Sequence, residues 1–123
     1  MSAKSSLLCR LDELSDAGSR EFSLGEGAWP LRGFLVRKGS NVFAYLNRCP
    51  HAGHPLNLRP HEFWDAERTH ILCNSHGATF EASSGECVQG PCVGQELIRL
   101  PISVSEGCVW FDGDPREYAD RYA

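Results

Sequence analysis

Two short stretches hold the residues with chemistry to offer, Cys49-Pro50-His51 and Cys73-Asn74-Ser75-His76, with twenty-one residues between them. Each pairs a thiolate former with an imidazole, and the second leads directly into Gly77. Cysteine binds metals as the thiolate and histidine through a neutral ring nitrogen, so two such boxes describe a metal centre. With one or two residues between its ligands, each box can converge both side chains from a tight loop. Gly53 and Gly77 each follow a histidine closely, where backbone amides can approach a cofactor with no Cβ in the way. On residue types alone, tetrahedral zinc is an open reading of the same four ligands.

The elements that must position these boxes read as short strands between turn residues, with no sustained helical period. Strand-like runs are expected at 6–11 and 21–24, with a polar turn or single helical turn over 12–18 between them. Runs at 31–37 and 41–47 flank Lys38-Gly39-Ser40 as a hairpin, with Gly39 free to take positive φ. After the first box, Pro55, Pro60 and the polar run 65–68 predict an irregular connection, interrupted by Phe63-Trp64. A short apolar run at 70–72 enters the second box. Three glycines and Pro91 predict a loop over 82–94 with a tight turn at Ser84-Gly85. Runs at 96–105 and 108–112 close a hairpin around Glu106-Gly107. Asp114-Pro115 has the pairing that starts a short C-terminal helix through residue 122. The expected fold class is all-β, one domain over 1–123, with a metal-binding part at about 47–92.

Composition narrows the partners. A chain of 123 residues forms one modest core, burying roughly two-thirds of its unfolded surface. The formal charge of −4 and the lack of a Lys/Arg cluster disfavour a nucleic-acid partner. Acidic residues gather near the start and in the tail, which suits either a basic docking partner or an ordinary solvated surface. No run near the N-terminus is long and apolar enough for a secretory signal or a membrane anchor. A cytoplasmic protein is expected, with its six cysteines reduced and directed to metal rather than disulfides.

The sequence resembles the Rieske 2Fe-2S ferredoxin family. The resemblance lies in Asn47-Arg48-Cys49-Pro50-His51-Ala52-Gly53-His54-Pro55-Leu56 and Cys73-Asn74-Ser75-His76-Gly77-Ala78-Thr79-Phe80, with Gly85 and Gly90-Pro91 matching the family's third loop over the cluster. It implies stacked small antiparallel sheets with the cluster at one tip. It also implies Cys49 and Cys73 on the inner iron and His51 and His76 on the outer iron of a Rieske-type 2Fe-2S cluster, with Gly53, Gly77 and Pro91 around it. In the family's high-potential branch a further cysteine in each box forms a bracing disulfide; His54 and Ser75 stand at those positions here. A serine and a tyrosine that donate hydroxyls there are Ala78 and Phe80 here. Hydrogen bonds to sulfur favour the reduced state, so this centre is expected toward the low end of the Rieske range of about −150 to +300 mV.

These features describe a carrier of one electron, without its own substrate site, working between a flavin-containing reductase and an oxygenase or other oxidoreductase. Alternatives are a small Rieske subunit of a larger oxidoreductase such as a nitrite reductase, a structural zinc module, and a redox-sensing regulatory protein. His61 and His70 have no partner spacing for a mononuclear iron, and His54 reads as a solvent-facing loop residue. Cys87 and Cys92 stand five apart around Gly90-Pro91 as either a redox-sensitive pair or two reduced residues in a packed loop, while Cys9 and Cys108 read as core. The connection between the boxes is longer than a compact ferredoxin needs. Its surplus at 60–69 either shapes a partner surface or forms a passive surface excursion in which Phe63 and Trp64 need only a patch of core to cover.

Overall fold

The computed structural model describes residues 5–25, 30–50, 54–74 and 77–122, with side chains through Tyr118. Among the described residues, nine strands form three antiparallel sheets of three. The first joins β1 (Ser5–Arg10), β9 (Cys108–Asp112) and β8 (Ile102–Ser105) in the order β1-β9-β8; the second runs β2 (Ser19–Leu24), β3 (Leu31–Lys38), β4 (Asn41–Leu46). The third is small: β5 (Ile71–Leu72), β6 (Thr79–Phe80), β7 (Cys87–Gln89).

The period-two alternation of a strand explains why the second sheet sits in the middle. On β3 and β4, Phe34, Val36 and Tyr45 enter one buried cluster while Leu31, Leu35, Ala44 and Leu46 enter another. Both faces are covered, so β3 reads as a nearly unbroken apolar run rather than a half-buried strand. The first cluster joins this sheet to the third sheet and to Cys49 and Cys73; the second joins it to the first sheet. Tyr45 locks the first cluster, its hydroxyl donating to the Ala82 carbonyl at 2.6 Å. Burial, only partly offset by Arg99, pushes that phenol up to about 12.

The hairpin at Gly39 forms as expected, with Lys38 opposite Asn41, Gly39 at φ +64° and its N–H donated to Asp16 Oδ1 at 2.8 Å. Residues 11–13 make one 3-10 turn, and Glu106-Gly107 turns the closing hairpin, both Glu106 and Gly107 at positive φ. Two expectations need correction. The 82–94 stretch is not all loop: Cys87–Gln89 is a strand on β6, its signal masked by the surrounding glycines and proline. The run 96–105 is regular only at Ile102–Ser105, because Pro101 has no N–H to give a ladder; before it, single bridges tie Glu96 to Glu86 and Arg99 to Tyr45. The short C-terminal helix forms as expected, over Pro115–Tyr122, as a 3-10 helix opened by Asp114 Oδ1 accepting the Arg116 N–H at 2.9 Å.

The connection between the boxes is anchored at both of its aromatic residues. Phe63 is fully buried and stacks on Phe34 with ring centroids 4.1 Å apart. Trp64 donates its indole N–H to the Gly18 carbonyl at 2.9 Å. Asp65 then folds the following turn by accepting N–H bonds from Thr69 (2.8 Å) and His70 (3.3 Å). Burial raises its carboxyl, yet these bonds outweigh it and hold the group below the ordinary carboxylate value.

Candidate metal centre

Both boxes are loops closed by their own backbone. The first leaves β4 at Leu46 and is closed when the Cys49 N–H donates to the His54 carbonyl at 2.8 Å. The second links β5 to β6; the Cys73 N–H donates to Ala78 O at 2.8 Å and the Gly77 N–H to Cys73 O at 3.0 Å. Gly77 sits at φ +76°, a conformation that an L side chain rarely takes, which accounts for glycine there.

Leu56 joins the two loops. Its N–H donates to Asn47 Oδ1 at 2.9 Å, and its carbonyl accepts the Asn74 N–H at 2.9 Å. Asn47, buried with 8% of its surface left, also donates from Nδ2 to Asn57 Oδ1 at 3.0 Å, so one side chain clasps both ends of the first loop. These residues lay within the quoted resemblance without a role. The available signal was an asparagine at a strand-to-loop exit, a residue able to satisfy loop backbone groups.

The third loop closes on the second box. A Cβ at Gly90, φ +104°, would lie 2.7 Å from the Ala78 Cα, so only glycine permits this approach. Pro91 follows it, and Cys92 turns back inside. Cys49 and Cys73 are 2% and 1% exposed and share the first core cluster with Cys87, Cys92, Ala78 and Phe80. Cys87 and Cys92 are buried free thiols with Sγ atoms 3.1 Å apart. Burial first, then contact with Cys87 and Cys49, pushes the Cys92 thiol up to about 12. Cys9 is core as expected; Cys108 is only half-buried.

The remaining histidines are occupied elsewhere. His54 is exposed. His61 takes φ +64° and accepts the Glu21 N–H on Nδ1 at 3.1 Å. His70 lies 3.9 Å from both Asp65 and Glu81 carboxylates. His51, Gly53 and His76 lie outside the described residues.

The residues present fit an iron–sulfur group. Two thiols with little solvent access stand on loops tied together by Leu56, and a glycine-opened third loop packs against one of them. Thiolate donors in such a setting suit a soft metal–sulfide group.

The Rieske [2Fe-2S] domain family matches residues 5–105. Solved structures similar to this chain include the ferredoxin of carbazole 1,9a-dioxygenase from Nocardioides aromaticivorans IC177, at 22% identity and TM-score 0.71, covering 91% of this chain and 100% of that one. The terminal oxygenase of carbazole 1,9a-dioxygenase from Novosphingobium sp. KA1 is similar at 24% identity and TM-score 0.72, over 92% of this chain and 31% of that one. A complex of reduced oxygenase and oxidized ferredoxin in carbazole 1,9a-dioxygenase matches at 21% identity and TM-score 0.69, over 90% and 94%. No curated protein matches. With small antiparallel sheets, paired cysteine loops and a family match across most of its length, the chain belongs to the Rieske [2Fe-2S] family, and its cofactor is a Rieske-type 2Fe-2S cluster.

Proposed function

We propose that the chain is a one-electron carrier of the ferredoxin kind, with Cys49 and Cys73 on the inner iron and His51 and His76 on the outer iron. Gly53, Gly77 and Pro91 form the backbone surround. The same reading takes 1–123 as one domain whose cluster-binding part is about 47–92. The observation that carries it is the pair of buried cysteines on loops clasped through Leu56, within a Rieske family match. The bound cluster supplies one reversible electron step; the loops hold the thiolates inward, exclude water from them and fix their distance from the surface.

Partners follow from that role: a flavin-containing reductase upstream, and an oxygenase or other oxidoreductase downstream. Similar structures include a ferredoxin and a complex of an oxygenase with a ferredoxin, which supports this choice. Exposed Leu58, Val88 and Val93 give the segments around the boxes apolar surface for a redox protein to cover. The chain carries no substrate site of its own in this reading, and it works in the cytoplasm; among the described residues no helix is long and apolar enough to cross a membrane. A second reading, a Rieske subunit within a larger oxidoreductase such as a nitrite reductase, is favoured by the equal structural likeness to part of a terminal oxygenase. A structural zinc site gives way to the family match.

The test is a reductive titration followed by transfer. The chain takes up one electron, and on mixing with an oxidised Rieske oxygenase returns one. Uptake of two electrons, or reduced protein that no oxidoreductase partner reoxidises, overturns the proposal. His51→Ala and His76→Ala lose the Rieske-type electron paramagnetic resonance signal; an unchanged spectrum refutes the ligand assignment.

A further inference from the structure

The ligand set leaves two cysteines of the third loop unused, and they stand as a pair. Cys87 opens β7, and Cys92 follows five residues on, across the turn at Gly90-Pro91. Their sulfurs are 3.1 Å apart, the Cys92 S–H donated to the Cys87 sulfur. Backbone bonds hold both residues there, because Gln95 accepts the Cys87 N–H at 3.0 Å and donates its own N–H to the Cys92 carbonyl at 2.9 Å. A disulfide sets its sulfurs about 2.0 Å apart, so the two side chains have only about 1 Å to close. The loop they span is the one whose Gly90 backbone packs on Ala78 with no room for a Cβ.

We propose that Cys87 and Cys92 are an oxidative modification site, a reversible disulfide that locks the third loop against the second ligand box. The oxidant is a small-molecule disulfide of the glutathione type. Each cysteine gives up its thiol hydrogen, one sulfur–sulfur bond forms between them, and the bond of the oxidant breaks to leave two thiols. Exchange passes through a mixed disulfide on Cys87, the less deeply buried of the two, which Cys92 then displaces. Only 5% of Cys87 and 2% of Cys92 is exposed, so the exchange is slow, and its extent at equilibrium is set by the geometry that Gln95 maintains. In a reducing cytoplasm the pair stays as two thiols, and a rise in oxidised glutathione closes it. The bond would fix Gly90 on Ala78 and so hold the cover of the second box in place. That this cover retains a cluster rests on the ligand reading above; the disulfide does not.

In the experiment, cluster-loaded protein is brought to equilibrium without oxygen in glutathione buffers of rising oxidised fraction, quenched with acid and alkylated. Cleavage after Glu86 and Glu96 yields a peptide with Cys87 and Cys92 and no other cysteine. As the oxidised fraction rises, this peptide loses both alkyl groups together and is lighter by its two thiol hydrogens; dithiothreitol restores the alkylated form. A peptide alkylated at both cysteines at every ratio overturns the proposal, as does one that keeps glutathione bound to a single cysteine. Peptide mapping reads the bond whether or not a cluster is present, while the Rieske-type resonance signal of the same protein tests the ligand reading separately. Oxidised protein then releases its cluster to a chelator several-fold more slowly than reduced protein, and Cys87→Ser and Cys92→Ser each remove the difference. Where a serine at the more buried position prevents loading, Cys87→Ala serves as the control. Equal release from the two forms overturns the locking role, as does a difference that persists in the variants.

Discussion

Replacing Asn47 with alanine severs the clasp between the two ligand loops. The Leu56 N–H loses the acceptor it meets at 2.9 Å, in a residue with no exposed surface, and water has no route to replace it. A buried donor left unsatisfied costs about 1–3 kcal/mol, and loss of the bond from Nδ2 to Asn57 adds about 0.5–1 kcal/mol. The expected total is about 2–4 kcal/mol, equivalent to a midpoint lowered by about 1–2 M urea. The assay is urea denaturation followed by circular dichroism and by the cluster's visible absorbance in the same samples. Asn47→Ala releases its cluster at lower urea than the unaltered protein, and it does so before the β sheets unfold, because the first loop is the part set free. An unfolding free energy within about 0.5 kcal/mol of the original, with cluster loss still coincident with unfolding, refutes the clasp, since even one ordinary hydrogen bond contributes about that much or more.

Three further outcomes test other parts of the account. Tyr45 has its folded pKa raised above the unfolded value of about 10, so its contribution is fully present below pH 10 and is lost as pH rises toward about 12; Tyr45→Phe flattens that alkaline loss in denaturation measured from pH 9 to 12. It also leaves the Ala82 carbonyl without its 2.6 Å donor, costing about 1–2 kcal/mol at neutral pH. Gly90→Ala forces a Cβ against the Ala78 backbone at positive φ, which costs at least about 1–2 kcal/mol and displaces the third loop, measured as faster cluster release; unchanged release contradicts the close approach. Ala78→Ser raises the reduction potential by restoring a hydroxyl donor beside the cluster; a fall or no shift means that Ala78 does not face a cluster sulfur.

Much of the fold was legible because its signals are local. The Gly39 hairpin, the Glu106-Gly107 turn and the Asp114 cap each follow from residues within a few positions of one another. β7 was not legible, because three residues that pair with a two-residue strand have no periodicity of their own. The regular part of 96–105 shrank for a similar reason, since the backbone there finds its partners in separate bridges to Glu86 and Tyr45. At the site, the cysteines were visible from spacing and type, and the third-loop glycine through the family resemblance. The roles of Asn47 and Leu56 were hidden, because each depends on segments meeting in space: Asn47 reaches Leu56 and Asn57, and Leu56 reaches Asn74. Phe63 finds the patch of core expected for it, while the ties of 60–69 to Gly18 and Ala17 are long-range bonds that no local pattern encodes.

The central claim is that a cluster held by two histidines and two cysteines carries the electron, and pulsed electron paramagnetic resonance on the reduced protein grown with 15N-histidine tests it most directly. The account predicts strong hyperfine coupling from two histidine nitrogens, one lost in His51→Ala and the other in His76→Ala. A reduced spectrum with no coupled histidine nitrogen, or with couplings that persist in both variants, would contradict it.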